Sequence, residues 1–113
     1  MTEAHARLVW EVWRLTHEIA GGFPPTWEAL PGGVRVWFLA VVMPALQDEQ
    51  MGGAEAHRVA MDSDIPEGSP FTVADVQPFP LLPAVTRAAW YSMASVARST
   101  KNVTPHVAGA FAS

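Results

Sequence analysis

Cysteine is missing from the 113-residue chain, which excludes disulfides, thiolate catalysis and cysteine-ligated zinc, and suits a reducing cytosol. Charge is scarce: only 16% of residues are charged, and seven basic residues stand against eleven acidic ones, for a net charge of −4. The basic residues (Arg7, Arg14, Arg35, Arg58, Arg87, Arg98 and Lys101) are scattered. A protein that grips phosphates concentrates such residues on one face, so nucleic-acid binding is disfavoured. The acids form no dense run either, and DNA mimicry gains no support. The longest apolar stretch, Val36 to Leu46, falls well short of the roughly 20 residues that cross a bilayer, so a membrane partner is not expected. Glu3, His5 and Arg7 precede any apolar run, unlike a secretory signal.

Chemical motifs are equally sparse. His5, His17, His57 and His106 lack the short spacings of a metal site. No G-x-S-x-G elbow positions a nucleophile, and no glycine-rich phosphate loop is present. Asp62, Asp64 and Glu67 begin like a calcium loop, but Pro66 and the absent twelfth-position acid break that pattern. The expectation is a protein without catalytic residues, metal or cofactor.

What the chain does have is apolar mass. Half of its residues are hydrophobic, and five are Trp. Each Trp removes roughly 150–250 Å² from water when buried, so the core is expected to form around them. Residues 3–20 predict an amphipathic helix whose apolar stripe is Leu8, Val12, Leu15 and Ile19, flanked by Val9, Trp13 and Thr16, with Gly21-Gly22 as its stop. The Pro- and Gly-rich segment 23–33 predicts one short turn holding Trp27 and Leu30, with Thr26 as its cap and Trp27 tucked back against the first helix.

A second helix is expected over 34–50, its face formed by Val34, Trp37, Phe38, Val41, Val42, Ala45 and Leu46, with Pro44 kinking or shortening it. Residues 54–61 predict a short helix. From 62 to 83 no helical period survives, and Phe71-Thr72-Val73 is read as extended. A third substantial helix is expected from Pro83 to about Ser99, facing the core with Val85, Ala89, Met93 and Val96 and with Trp90 alongside. The fold class is therefore all-α: an αα-hairpin plus a third helix across a long Pro-rich connection. The domain is expected to span residues 1–98, with 99–113 an extended or flexible tail.

The chain also echoes itself at an offset of 52 residues. Glu3-Ala4-His5 falls on Glu55-Ala56-His57, Trp27 on Phe79, Leu30-Pro31 on Leu82-Pro83, and Arg35 on Arg87. Each half sets an aromatic before Leu-Pro and then an Arg on the first turn of a helix. Either the segments are duplicated, giving a pseudo-symmetric binding surface, or both use Leu-Pro to begin a helix. Trp27, Trp37 and Arg35 form either an aromatic pocket with one cation or a core with Arg at its rim, and the core is the better fit. The residues with most to offer a partner or ligand are accordingly Trp27, Arg35, Trp37, Phe79, Arg87 and Trp90.

The order helix, Gly, Pro-Pro, Trp27-x-x-Leu30-Pro31-x-x-x-Arg35, helix resembles small helical proteins of actinobacteriophages that carry a W-x-x-L-P-x-x-x-R motif. Trp27-Glu28-Ala29-Leu30-Pro31 is also faintly similar to the W-E-x-x-P segment of ryanodine-receptor-type repeat domains, with Pro one place late. The resemblance implies a phage or prophage accessory protein acting on a host component. The function expected is a non-enzymatic protein-binding module, cytoplasmic in a bacterial host, that uses an apolar patch and the irregular 62–82 segment and that meets a protein partner or self-associates. Two competing expectations are a virion protein docking between subunits and a binder of a small anionic ligand near Arg35 or Arg87.

Overall fold

The structure, a computed structural model, describes residues 3–72 and 74–102. Among them are four helical rods and no strand. We label them α1 (Glu3–Ile19), α2 (Gly32–Trp37, Phe38–Val42 and Met43–Gln47 in one continuous rod), α3 (Gly53–Asp62) and α4 (Ala84–Asn102). The all-α expectation holds.

Glu3 in the first turn of α1 and His17 in its last complement the helix dipole, and Arg14 bridges Glu11 and Glu18 along its surface. Gly21 ends the helix at φ +98°, where its N–H bonds the Glu18 carbonyl while that of Gly22 bonds the His17 carbonyl. This paired closure needs a left-handed residue, which glycine supplies without steric cost.

The face of α1 that turns inward differs from the one expected. Ala6, Val9, Trp10 and Trp13 are buried, whereas Leu8, Leu15 and Ile19 are exposed. Both sets recur at helical spacing, and the face that carries two indoles has more surface to bury. The proline at 44 also acts differently from the expected kink or early stop. The rod continues through it, but the preceding Phe38–Val42 stretch is a π-helix, with the Met43 N–H bonded to the Phe38 carbonyl five residues back. Pro44 has no N–H to give the carbonyl of residue 40, and the wider turn accommodates that gap.

α4 is the central strut. Its Ala89, Trp90, Met93, Ala94 and Ala97 are buried, while Val85 and Val96, read as core from the sequence, are half-buried. The end of α1 meets the start of α4 through His17 Nε2 and Thr86 Oγ1 at 3.1 Å, so the two run antiparallel. At the other end, Arg98 bonds the Asp48 and Met51 carbonyls and Gln47 bonds the Ala97 carbonyl, tying α4 to the close of α2. α3 crosses α4 at Gly53, where a Cβ would stand 2.9 Å from the Trp90 carbonyl carbon.

The irregular connection is pinned rather than loose. Phe71 enters the aromatic core and meets Trp10, Trp13, Trp37 and Trp90 at ring separations of 6.2, 5.4, 5.8 and 6.4 Å. The extended segment expected at 71–73 is irregular at 71 and 72, and Val73 lies outside the described residues. The expected tail begins later than 99, because α4 continues to Asn102, and the remainder also lies outside the described residues.

The 52-residue echo extends to the backbone. Two 3₁₀ turns, Trp27–Ala29 and Phe79–Leu81, each close on a Leu that is 3% exposed, with φ/ψ of −70/140° at Leu30 and −66/149° at Leu82. The Leu30 and Leu82 N–H groups bond the Trp27 and Phe79 carbonyls at 3.2 and 3.1 Å. After the proline, the Arg35 and Arg87 N–H groups bond the Pro31 and Pro83 carbonyls at 3.1 and 3.0 Å.

Candidate functional site

Two surfaces stand out. The first is the outer face of α1. Leu8, Leu15 and Ile19 are 50, 46 and 87% exposed, and Val12, between them, is only partly covered. Their order along the helix is steps of four, three and four residues, the spacing of a coiled-coil seam. One flank of the seam is Glu11, Arg14 and Glu18. Arg14 donates to Glu11 at 2.8 Å and to Glu18 at 2.7 Å, and Arg7, one turn before Glu11, pairs with Glu28 at 2.7 Å, so three carboxylates surround two cations and the flank keeps a slight acidic excess. The Glu11 carboxyl lies below its ordinary pKa, chiefly because it accepts the Arg14 hydrogen bonds. Just beyond the helix, Phe23 is almost fully exposed.

The second surface is a groove of about 580 Å³ between α3 and residues 76–80. Glu55, Arg58 and Asp62 rim it from the helix, and Val76 and Phe79 wall it from the segment opposite. His57 positions that wall. Its Nε2 lies 2.7 Å from the Asp75 carbonyl, which can only accept, so this nitrogen carries the proton and donates. Its buried ring packs edgewise on Phe79 and Trp90. Asp75 is in turn held by the Thr72 N–H at 2.7 Å. Phe79 also borders a second hollow, with Arg87 and Tyr91 on its far side. Arg58 and Asp62 form an exposed pair at 3.5 Å.

The residues singled out from the sequence divide between core and surface. Trp27 and Trp90 have no exposed surface, and Trp37 is 5% exposed with its indole N–H on Ser63 Oγ at 2.8 Å. Arg35 lies half-buried beside Glu3 at 3.8 Å. Phe79 and Arg87 do come together, on either side of the second hollow. Sequence reasoning passed over Tyr91, Arg58 and Val76 as surface groups, and it took Leu8, Leu15 and Ile19 for core. The signal available for α1 was its having two apolar stripes, only one of which a two-layer domain can cover.

Among the described residues, no three His, Asp or Glu gather to hold a metal, and no helix is long and apolar enough to cross a membrane. The chain matches no protein-family model, no characterised protein and no solved structure.

Proposed function

We propose that the protein is a non-enzymatic protein-binding module that docks an amphipathic helix of a partner along the outer face of α1. The carrying observation is the seam of Leu8, Val12, Leu15 and Ile19, with three of its four members exposed in coiled-coil register. Burying such a seam against a second helix is the usual route by which apolar helical faces associate. The flank selects the partner's charge. Glu11, Glu18 and Glu28 outnumber Arg7 and Arg14 there, and the whole chain carries −4, so a helix with Lys or Arg beside its apolar stripe fits, whereas an antiparallel second copy brings acidic flank against acidic flank. The phage accessory role rests on the Trp27-x-x-Leu30-Pro31-x-x-x-Arg35 resemblance and belongs to the same reading.

The test uses two synthetic three-heptad helices with Leu at every seam position, one flanked by Lys and one by Glu. Calorimetric titration of the full chain is expected to give saturable binding of the Lys-flanked helix, at least tenfold weaker binding of the Glu-flanked one, and loss of both in Leu15→Lys. That substitution introduces a charge in desolvated apolar contact, for which tenfold, about 1.4 kcal/mol, is a low estimate. Equal binding of the two helices, no binding, or binding unaffected by Leu15→Lys overturns the reading. So does a dimer in light scattering that Leu15→Lys dissolves, because the seam then belongs to a second copy.

A further inference from the structure

Asp75 is a buried acid without a counterion. It is only 8% exposed, and among the described residues no basic side chain pairs with it. The residue is held rigidly all the same. Its backbone carbonyl accepts the His57 Nε2 hydrogen bond at 2.7 Å, and its Oδ2 accepts from the Thr72 N–H at 2.7 Å and the Thr72 hydroxyl at 3.1 Å. Among the described residues, Oδ1 is left without a donor. Asp75 lines a hollow of about 320 Å³ together with Trp13, His17, Pro24, Pro25 and Pro70. His17 is the one basic group there, and both its ring nitrogens are engaged, with the Trp13 carbonyl at 2.9 Å and the Thr86 hydroxyl at 3.1 Å. Gly22, which also lines the hollow, sets it at the C-terminal end of α1. Aligned peptide dipoles leave about half a negative charge at such an end, which favours cations.

We propose that this hollow binds an alkylammonium group, which donates to Asp75 Oδ1 while its stem lies against Pro24, Pro25 and Pro70. A carboxylate held away from water is costly unless its charge is met, and here the helix end adds to that charge instead of cancelling it. The geometry also selects among cations. A guanidinium grips a carboxylate best through both oxygens, but Thr72 already occupies Oδ2, so a compact ammonium fits the single open oxygen. Calcium takes roughly six to eight oxygens, whereas Asp75 is the only acid among the described residues that line the hollow. Trp13 and His17 lie on the side of α1 opposite Leu8, Val12, Leu15 and Ile19, so the site is separate from the seam. It stands whether or not that seam binds a helix.

The probe is n-butylammonium chloride, titrated into the full chain while backbone amide resonances are followed, with n-butanol as its uncharged counterpart. Saturable shifts at Gly22, Thr72 and Asp75 are expected. The alcohol should bind about fivefold more weakly or worse, the usual gap between a charge-assisted and a neutral hydrogen bond. n-Butylguanidinium should also bind more weakly than the ammonium. Asp75→Asn keeps an acceptor for Thr72 but removes the charge, and it should erase the preference for ammonium over alcohol. If that variant misfolds, the three probes on the unmodified chain decide the matter alone. N-acetyl-lysine methylamide separates the sources: tighter binding than n-butylammonium marks a lysine of a protein ligand, and equal or weaker binding marks a free amine. No saturable shift, equal affinity for ammonium and alcohol, tighter binding of the guanidinium, or a folded Asp75→Asn that keeps the preference overturns the proposal.

Discussion

The five tryptophans are not equivalent, and their indole N–H groups separate them. Those of Trp10, Trp27 and Trp37 reach the Pro25 carbonyl, Glu3 and Ser63, whereas those of Trp13 and Trp90 are buried without an acceptor. A buried donor without a partner costs about 1–3 kcal/mol, so removing it offsets part of the packing lost on truncation. Trp90→Phe is therefore expected to destabilise less than Trp10→Phe by about 1 kcal/mol, measured as the difference in urea unfolding free energy. A Trp90→Phe loss equal to or larger than that of Trp10→Phe would contradict this.

Also at the scale of single residues, the lowered pKa of Glu11 makes α1 pH-sensitive. A carboxyl with a folded pKa below its unfolded value stabilises the fold above the unfolded value and loses that contribution as pH falls through the folded one. Arg14→Gln should therefore reduce stability near neutral pH. The gap from wild type should close once the pH drops well below the ordinary carboxyl value of 4.5, visible in parallel melts across that range.

At the scale of elements, the helices were legible and their faces less so. Gly-Gly pairs, Pro-led helix starts and apolar periods marked all four rods to within a few residues. The inward face of α1 was not legible, because a stripe at steps of four, three and four competes with one that carries Trp10 and Trp13, and only the tertiary context decides. The crossing of α3 on α4 was hidden for a different reason. It depends on Gly53, whose significance lies in the backbone of Trp90 and Tyr91, both 2.9 Å from where a Cβ would stand. Main chain on both sides cannot yield as a flexible side chain does. Gly53→Ala should cost about 1–3 kcal/mol by forcing the helices apart, although alanine is the better helix former. Equilibrium unfolding reads this directly, and a neutral or stabilising result would show that the helices slide apart freely.

At the scale of the whole molecule, the Pro-rich connection looked from its sequence like an irregular segment offered to a partner, and the echo looked like shared helix-start chemistry. Neither composition nor period revealed that one phenylalanine would hold that connection in the centre of the Trp cluster. Phe71 reaches four indoles on three different helices, so its contacts are long-range and leave no local signature. Its role can be separated from ordinary hydrophobicity by comparison with Phe23, which is 98% exposed. Truncating a core phenylalanine costs about 3–5 kcal/mol, and Phe71, only partly buried, should fall just below that range, at about 2–3 kcal/mol. Phe23→Ala should stay within about 0.5 kcal/mol of wild type. The wall of the groove at 76–80 follows Phe71 in sequence and relies on the same anchoring, together with the His57 bond to Asp75. Phe71→Ala should therefore also speed amide exchange over 74–82, although it alters no groove residue. Stability and exchange indistinguishable from Phe23→Ala would mean that the connection is held elsewhere, and that the groove owes its shape to α3 alone.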